Sequence, residues 1–285
     1  MYAIIEKACA KINLTLSVLS KRADGYHEID SLMHTVSLSD TVGFSPAAEI
    51  SLAVSGAAPA GRENLMWRAA ELFFRESGLP GGVAMSLEKQ IPAEAGMGGG
   101  SADAAAVLRG LSRMTGAGYS LADLARMGAA LGADVPFCVA GGAARCRGIG
   151  ERLSPLPAWE GLPLLIVRPA AAVSTARAYG AIDRRKARSA CTADLAAAAL
   201  SARDPAALSR ALSNDFEAAL FPEEPVLSEA KAFLAGTGFP NLMTGSGAAF
   251  FVLAGGAARE QLQRDILAAH PDWFTAPAET TAGIL

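Results

Sequence analysis

Over the first forty residues apolar and polar positions alternate. Residues 2 to 19 read as extended structure. Lys11-Ile12-Asn13-Leu14-Thr15-Leu16-Ser17-Val18-Leu19 keeps a period of two, which predicts a half-buried strand with Lys11 and Asn13 on one face. Asp24-Gly25 interrupts it as a turn, and the run to Leu38 predicts a second strand. Residues 42 to 55 predict short strands joined by proline-containing turns. From Asn64 the period lengthens: Leu65, Ala69, Leu72 and Phe73 share one face of a helix running to about Ser77. A strand over 83–87 leads into a glycine cluster, whose following helix continues through Leu111. Ser120 caps a helix over 121–131, with Gly132 just past its end.

Residues 141 to 151 predict a turn, a strand and a turn. The proline-rich stretch 155–163 marks a boundary, giving two domains, 1–154 and 155–285. Beyond it come a short buried strand over 164–167 and a helix capped by Ser174. Alanine- and leucine-rich helices then fill 192–236, broken near Asp204-Pro205 and Phe221-Pro222. Gly245-Ser246-Gly247 turns the chain into an apolar strand, and the tail from Gly255 predicts a helix followed by a polar C-terminus.

Composition narrows this picture. With 51% hydrophobic residues in 285, the chain has ample material for a core. A formal charge of -3 supplies no basic field for nucleic acid or an anionic membrane. Arg184-Arg185-Lys186 with Arg188 is too short a basic run to alter that and reads as solvated surface. No signal-peptide pattern opens the chain and no apolar run would span a bilayer. The four cysteines are scattered without a Cys-x-x-Cys pair, as expected of a reduced, cytoplasmic protein rather than a disulfide or zinc framework. The sequence sets no oligomeric state.

The chemistry centres on Pro92-Ala93-Glu94-Ala95-Gly96-Met97-Gly98-Gly99-Gly100-Ser101-Ala102, which runs into an alanine-rich helix. Glycines let backbone N–H groups approach a ligand closely. The helix start adds unpaired N–H groups and the positive end of a macrodipole, together an anion site best suited to phosphate. A P-loop is excluded because no Lys follows the glycines. A dinucleotide fingerprint fails because Ser101 stands where its last glycine belongs.

The loop from Pro92 to Ala105 resembles the nucleotide-binding signature of the GHMP small-molecule kinases throughout its length. Gly132-Ala133-Asp134-Val135-Pro136-Phe137 and the Gly245-Ser246-Gly247 loop resemble two further motifs of these enzymes. Ala10-Lys11-Ile12-Asn13-Leu14 with Lys21-Arg22-Ala23-Asp24-Gly25-Tyr26-His27 narrows the likeness to the branch acting on 4-diphosphocytidyl-2-C-methyl-D-erythritol in the non-mevalonate isoprenoid pathway. The resemblance implies a two-domain α+β fold with the active site in the interdomain cleft. It also implies ATP-dependent phosphorylation of the 2-hydroxyl of that small-molecule substrate.

By the same resemblance Asp134 is the catalytic base and Lys11 stabilises charge beside it. Residues 92 to 102 hold ATP, and Ser101 meets phosphate or a Mg²⁺ that keeps its waters and phosphate oxygens, with no dedicated all-protein metal cage. Tyr26 stacks on the cytidine end, Tyr179 forms a second aromatic wall, the His27 backbone reads the cytosine edge, and Asn13 positions the methylerythritol part. Asp103 stands where some members have Asn, its charge tolerated by the helix dipole, and 185–205 is divergent and alanine-rich. Two other readings stay open, a GHMP kinase for another small alcohol and a nucleotide sensor without catalysis.

Overall fold

The computed structural model describes residues 4–185 and 190–283. Residues 2 and 3 of the first expected strand, and Lys186 and Arg188 of the basic run, lie outside the described residues.

Two long strands, β1 (Ile4–Lys21) and β2 (His27–Ala47), form an antiparallel hairpin that carries the first half. β3 (Ser51–Ser55), α1 (Leu65–Ser77) and β4 (Gly82–Glu88) follow. Next come α2 (Gly99–Thr115), α3 (Leu121–Gly128), α4 (Val135–Ala140), β5 (Ala143–Gly148) and β6 (Arg152–Leu156). β7 (Pro163–Arg168), α5 (Thr175–Arg184), α6 (Ala193–Ala202) and α7 (Pro205–Ala211) open the second half. β8 (Ser213–Asn214), α8 (Asp215–Leu220), α9 (Pro225–Gly236), β9 (Asn241–Met243), β10 (Phe250–Val252), α10 (Gly256–Ala269) and β11 (Phe274–Glu279) complete it.

One sheet runs β3-β4-β2-β1-β8, with β5 also on β2 and β6 beyond it; the other runs β11-β7-β10-β9. β8 returns from the second half of the chain to lie parallel to β1, with Leu16 opposite Asn214. Ile12, Leu14 and Leu32 of the hairpin share a buried apolar layer with Leu164, Ile166 and Phe251 of the second sheet. Each such side chain contributes roughly 1.5–3 kcal/mol on burial, so this layer joins the two halves strongly.

Several elements differ from the sequence reading. β1 is buried on both faces over most of its length, because Lys11, Asn13, Thr15 and Ser17 face other parts of the protein rather than water. Pro46 lies inside β2, opposite Val83, rather than in a turn; the described ladder with β1 ends at Phe44. α3 stops at Gly128, three residues early, because the chain beyond it tightens into i→i+3 turns, the Ala130 N–H donating to the Met127 carbonyl and the Leu131 N–H to that of Gly128. Gly128 itself lets Val135 of α4 pack close, since a Cβ there would lie 2.6 Å from Val135 Cγ1. The expected caps are present: Asn64 accepts from the Met66 N–H, Ser120 forms a capping box with Asp123, and Ser174 accepts from the Arg177 N–H. The polar tail holds a strand, β11, whose Pro277 is accommodated at the sheet edge.

Candidate active site

A cleft of about 1010 Å³ is lined by residues of both halves, among them Lys11, Tyr26, Gly98, Asp134, Tyr179 and Ser246. That volume is at the upper end of ordinary small-molecule pockets, which run to ~1,000 Å³.

At one end lies the glycine loop. Gly98 is the N-cap of α2, in the left-handed region at φ +69°, and no side chain caps the helix. The first N–H groups of α2 therefore face the cleft without side-chain competition. Behind the loop, a Cβ on Gly96 would meet the Thr244 carbonyl oxygen at 2.2 Å, and one on Gly245 would meet the Gly96 oxygen at 2.4 Å. The Gly245-Ser246-Gly247 turn is thus the backing on which the glycine loop rests. Asn214 fixes that turn, its Nδ2 donating to the Met243 and Gly245 carbonyls at 2.7 and 2.9 Å.

The centre of the cleft is polar. Register shifts flank Lys11 and Asn13 on β1, and such bulges re-aim side chains out of a regular pleat. Lys11 Nζ donates to the Gly96 carbonyl at 2.8 Å and to Asn13 Oδ1 at 2.7 Å, and lies 3.6 Å from Asp134 Oδ2. Asn13 is held by Ser31 at 2.8 Å, and its backbone N–H donates to Thr244 Oγ1 at 3.0 Å. Asp134 sits at the N-cap of α4 yet makes no capping hydrogen bond. Its carboxylate is therefore free for the cleft, where a turn-capping aspartate would be spent.

Beside the glycine loop is a group of charges that no motif suggested. Lys89 Nζ meets Asp40 Oδ2 at 2.5 Å and Asp103 Oδ2 at 2.8 Å, all three side chains nearly fully buried. Asp40 Oδ1 also accepts the N–H groups of Gln90 and Ile91, tying the approach to the glycine loop. Burial, partly offset by Lys89, raises the Asp103 carboxyl from 3.8 to about 7. Lys89, rather than the helix dipole alone, accommodates this extra acidic group.

At the other end, Tyr26 is 60% exposed on the hairpin loop, whereas His27 is buried. The Tyr179 ring stacks on the His27 imidazole at 4.7 Å and meets Phe216 edge-on. Burial, with the Asp134 charge as a second cause, pushes the Tyr179 phenol up to about 12. His27 Nε2 lies 2.7 Å from Asp183 Oδ1, and Lys21 Nζ lies 2.5 Å from Asp183 Oδ2. Every site residue named from the sequence other than Ala102 lines this one cleft; Ala102 is buried in α2 beneath the loop. Asp183, Asn214, Lys89 and Asp40 escaped the sequence reading, which singles out Asp103 but not its partners. Asn214 and the Lys89 group are polar residues that fold into the interior, whereas Asp183 stays partly exposed and carries no signal of its own.

The surroundings of this cleft match known proteins closely. Residues 64–142 match the model of the GHMP kinases N terminal domain and residues 196–272 that of the GHMP kinases C terminal. A 4-diphosphocytidyl-2-C-methyl-D-erythritol kinase of Synechococcus sp. (strain JA-3-3Ab) is 41% identical over 293 aligned positions, covering 98% of this chain and 94% of the relative. One from Pelotomaculum thermopropionicum is 44% identical, covering 86% of this chain and 87% of the relative. A crystal structure of 4-(cytidine 5'-diphospho)-2C-methyl-D-erythritol kinase superposes with a TM-score of 0.81 at 36% identity, over 98% of this chain and 100% of that one. With this likeness running nearly end to end, the chain belongs to the 4-diphosphocytidyl-2-C-methyl-D-erythritol kinases of the GHMP superfamily.

Proposed function

We propose that the protein transfers the γ-phosphoryl group of ATP to the 2-hydroxyl of 4-diphosphocytidyl-2-C-methyl-D-erythritol, a step of the non-mevalonate route to isoprenoid precursors. The observation that carries this reading is the convergence of Lys11 and an uncapped Asp134 between the glycine loop and the Tyr26–His27 hairpin.

The substrate oxygen attacks the γ-phosphorus, ADP leaves, and the hydroxyl proton passes to Asp134. Two of the Lys11 donors are occupied by Gly96 and Asn13, so its ammonium is held in place with its charge beside Asp134. Phosphoryl transfer depends mainly on positioning and on dispersing charge over the phosphoryl oxygens, which the α2 amides do without reorganising. A Mg²⁺ bound with ATP would neutralise phosphate charge. Ser101, in the first turn of α2 and lining the cleft, is the protein oxygen we assign to it. Such an ion would keep most of its waters. Tyr26 and Tyr179 receive the cytidine end, the His27 backbone its cytosine edge, and Asn13 the methylerythritol part. The four unpaired cysteines fit a cytoplasmic setting.

An ADP-release assay across a panel of alcohols tests the assignment. The cytidine-diphospho substrate should be turned over at least a hundredfold more efficiently than homoserine, mevalonate or sugars. Comparable rates on one of those alcohols would replace this substrate, and nucleotide binding without transfer to any of them would favour a sensor.

A further inference from the structure

Lys21 and His27 are a cross-strand pair of the β1–β2 hairpin, the last before the loop that carries Tyr26. Asp183, in the last turn of α5, meets both: Oδ1 lies 2.7 Å from His27 Nε2 and Oδ2 lies 2.5 Å from Lys21 Nζ. Tyr179 is four residues earlier on the same helix, so it shares a face with Asp183, and it stacks on the same imidazole. One helix face thus grips the hairpin mouth twice.

The loop beyond that mouth is tied to itself. The Arg22 N–H donates to the Tyr26 carbonyl at 2.7 Å, the Tyr26 N–H donates to Asp24 Oδ1 at 3.1 Å, and the Arg22 guanidinium bonds Asp24. These bonds hold it together as a unit beyond the Lys21–His27 pair. The exposed Tyr26 ring goes where that pair is held. A carboxylate only accepts, so the Asp183 contact also requires the proton on His27 Nε2.

We propose that Asp183 is a positioning residue for the cytidine end of the substrate: by clamping Lys21 and His27 from α5, it sets the spacing between Tyr26 and the Tyr179 wall. This rests on the reading that this end of the cleft takes the cytidine. Asp183 is partly exposed, with 32% of its side chain accessible, so the clamp is a moderate one. Partly exposed charge-assisted contacts of this kind correspond to roughly a three- to tenfold effect on binding.

The test compares the parent with Asp183→Ala, Asp183→Asn and Asp183→Glu. Asp183→Ala should raise KM for the cytidine substrate roughly three- to tenfold, while kcat and KM for ATP stay within about twofold. Asp183→Asn should fall between, and Asp183→Glu should recover part of the loss. Separately, ¹⁵N NMR of the ligand-free protein, with the His27 ring assigned by its loss in His27→Gln, should show an Nε2 proton in the parent and a tautomer mixture in Asp183→Ala. An unchanged cytidine KM, or cytidine and ATP KM rising together, overturns the proposal. A parent that does not phosphorylate the cytidine substrate overturns the underlying reading instead. The clamp is then decided by the NMR alone: an unchanged His27 tautomer sinks it and a changed one supports it.

Discussion

At the Gly96–Ser101 end of the cleft the groups offered to a ligand are mostly backbone amides; at the Tyr26–Tyr179 end they are mostly side chains. The first is built from one continuous segment, with the Thr244–Gly247 turn behind it. The second is assembled from a hairpin loop and a helix more than a hundred and fifty positions apart, brought together by Asp183 and by stacking of Tyr179 on His27. A backbone site needs particular residues at fixed spacing, because a single Cβ would spoil it. A side-chain site needs only suitable chemistry arriving from any part of the chain. Generic phosphate chemistry therefore has a local signature, while selectivity for the alcohol is dispersed. Lys11 and Asp134 lie at the junction, one from the hairpin and one from the start of α4.

The sharpest probe of that junction is Asp134→Asn. A positioned base contributes ~10²–10⁴-fold, so turnover should fall by about that factor while ATP affinity, measured by calorimetry, stays within about threefold. Near-normal turnover in the folded variant would reject Asp134 as the base.

Next comes the backbone end. Gly96→Ala places a side chain in the left-handed region and 2.2 Å from the Thr244 oxygen. The conformational cost alone is roughly 1–2 kcal/mol, and the turn behind must also move. We expect a weakening of ATP binding by about tenfold or more and a Tm lower by several degrees, with cytidine-ligand affinity little changed. If both affinities fell alike, the two ends would not be separately built.

A smaller effect is expected at the side-chain end. Base–aromatic stacking is worth ~1–3 kcal/mol, and Tyr26 is open to solvent, so Tyr26→Ala should raise the cytidine-substrate KM by about five- to twentyfold. The KM for ATP should not follow. Steady-state kinetics with each substrate varied in turn measures both.

The smallest expected effect is a pH dependence near the glycine loop. Asp103 binds its proton more tightly when folded, about 7 against 3.8, so folding stability is lost as pH rises between those values. Asp103→Asn removes this dependence. Its Tm relative to the parent should therefore be more favourable at pH 8 than at pH 5; an equal difference at both would contradict the buried, proton-holding carboxyl.

The legibility of the molecule follows the same division. The hairpin, the longer helices and their caps were readable because period, cap chemistry and glycine placement are local; the six-residue α4 was not. β8, β9 and β11 were not, since strands of two, three and six residues gain their pairing from distant partners rather than from pattern. The half-buried reading of β1 failed because alternation says which residues share a face, not what covers that face. Lys11 and Asn13 were placed together correctly by that alternation and meet at 2.7 Å. Asp183 could not be found this way: its partners, Lys21 and His27, lie more than a hundred and fifty positions earlier. Lys89 and Asp40, which meet Asp103 in the interior, were equally hidden, ordinary charges whose meaning comes only from burial.

The central claim is that the two ends of the cleft deliver ATP and the cytidine substrate to one transfer point beside Asp134. It is tested most directly by incubating the protein with Mg-ATP and 4-diphosphocytidyl-2-C-methyl-D-erythritol and locating the new phosphate by ³¹P–¹³C correlation NMR. The account predicts one product, phosphorylated on the 2-oxygen, formed together with an equal amount of ADP. Phosphate on a different oxygen, or ADP without any phosphorylated cytidine product, would contradict it.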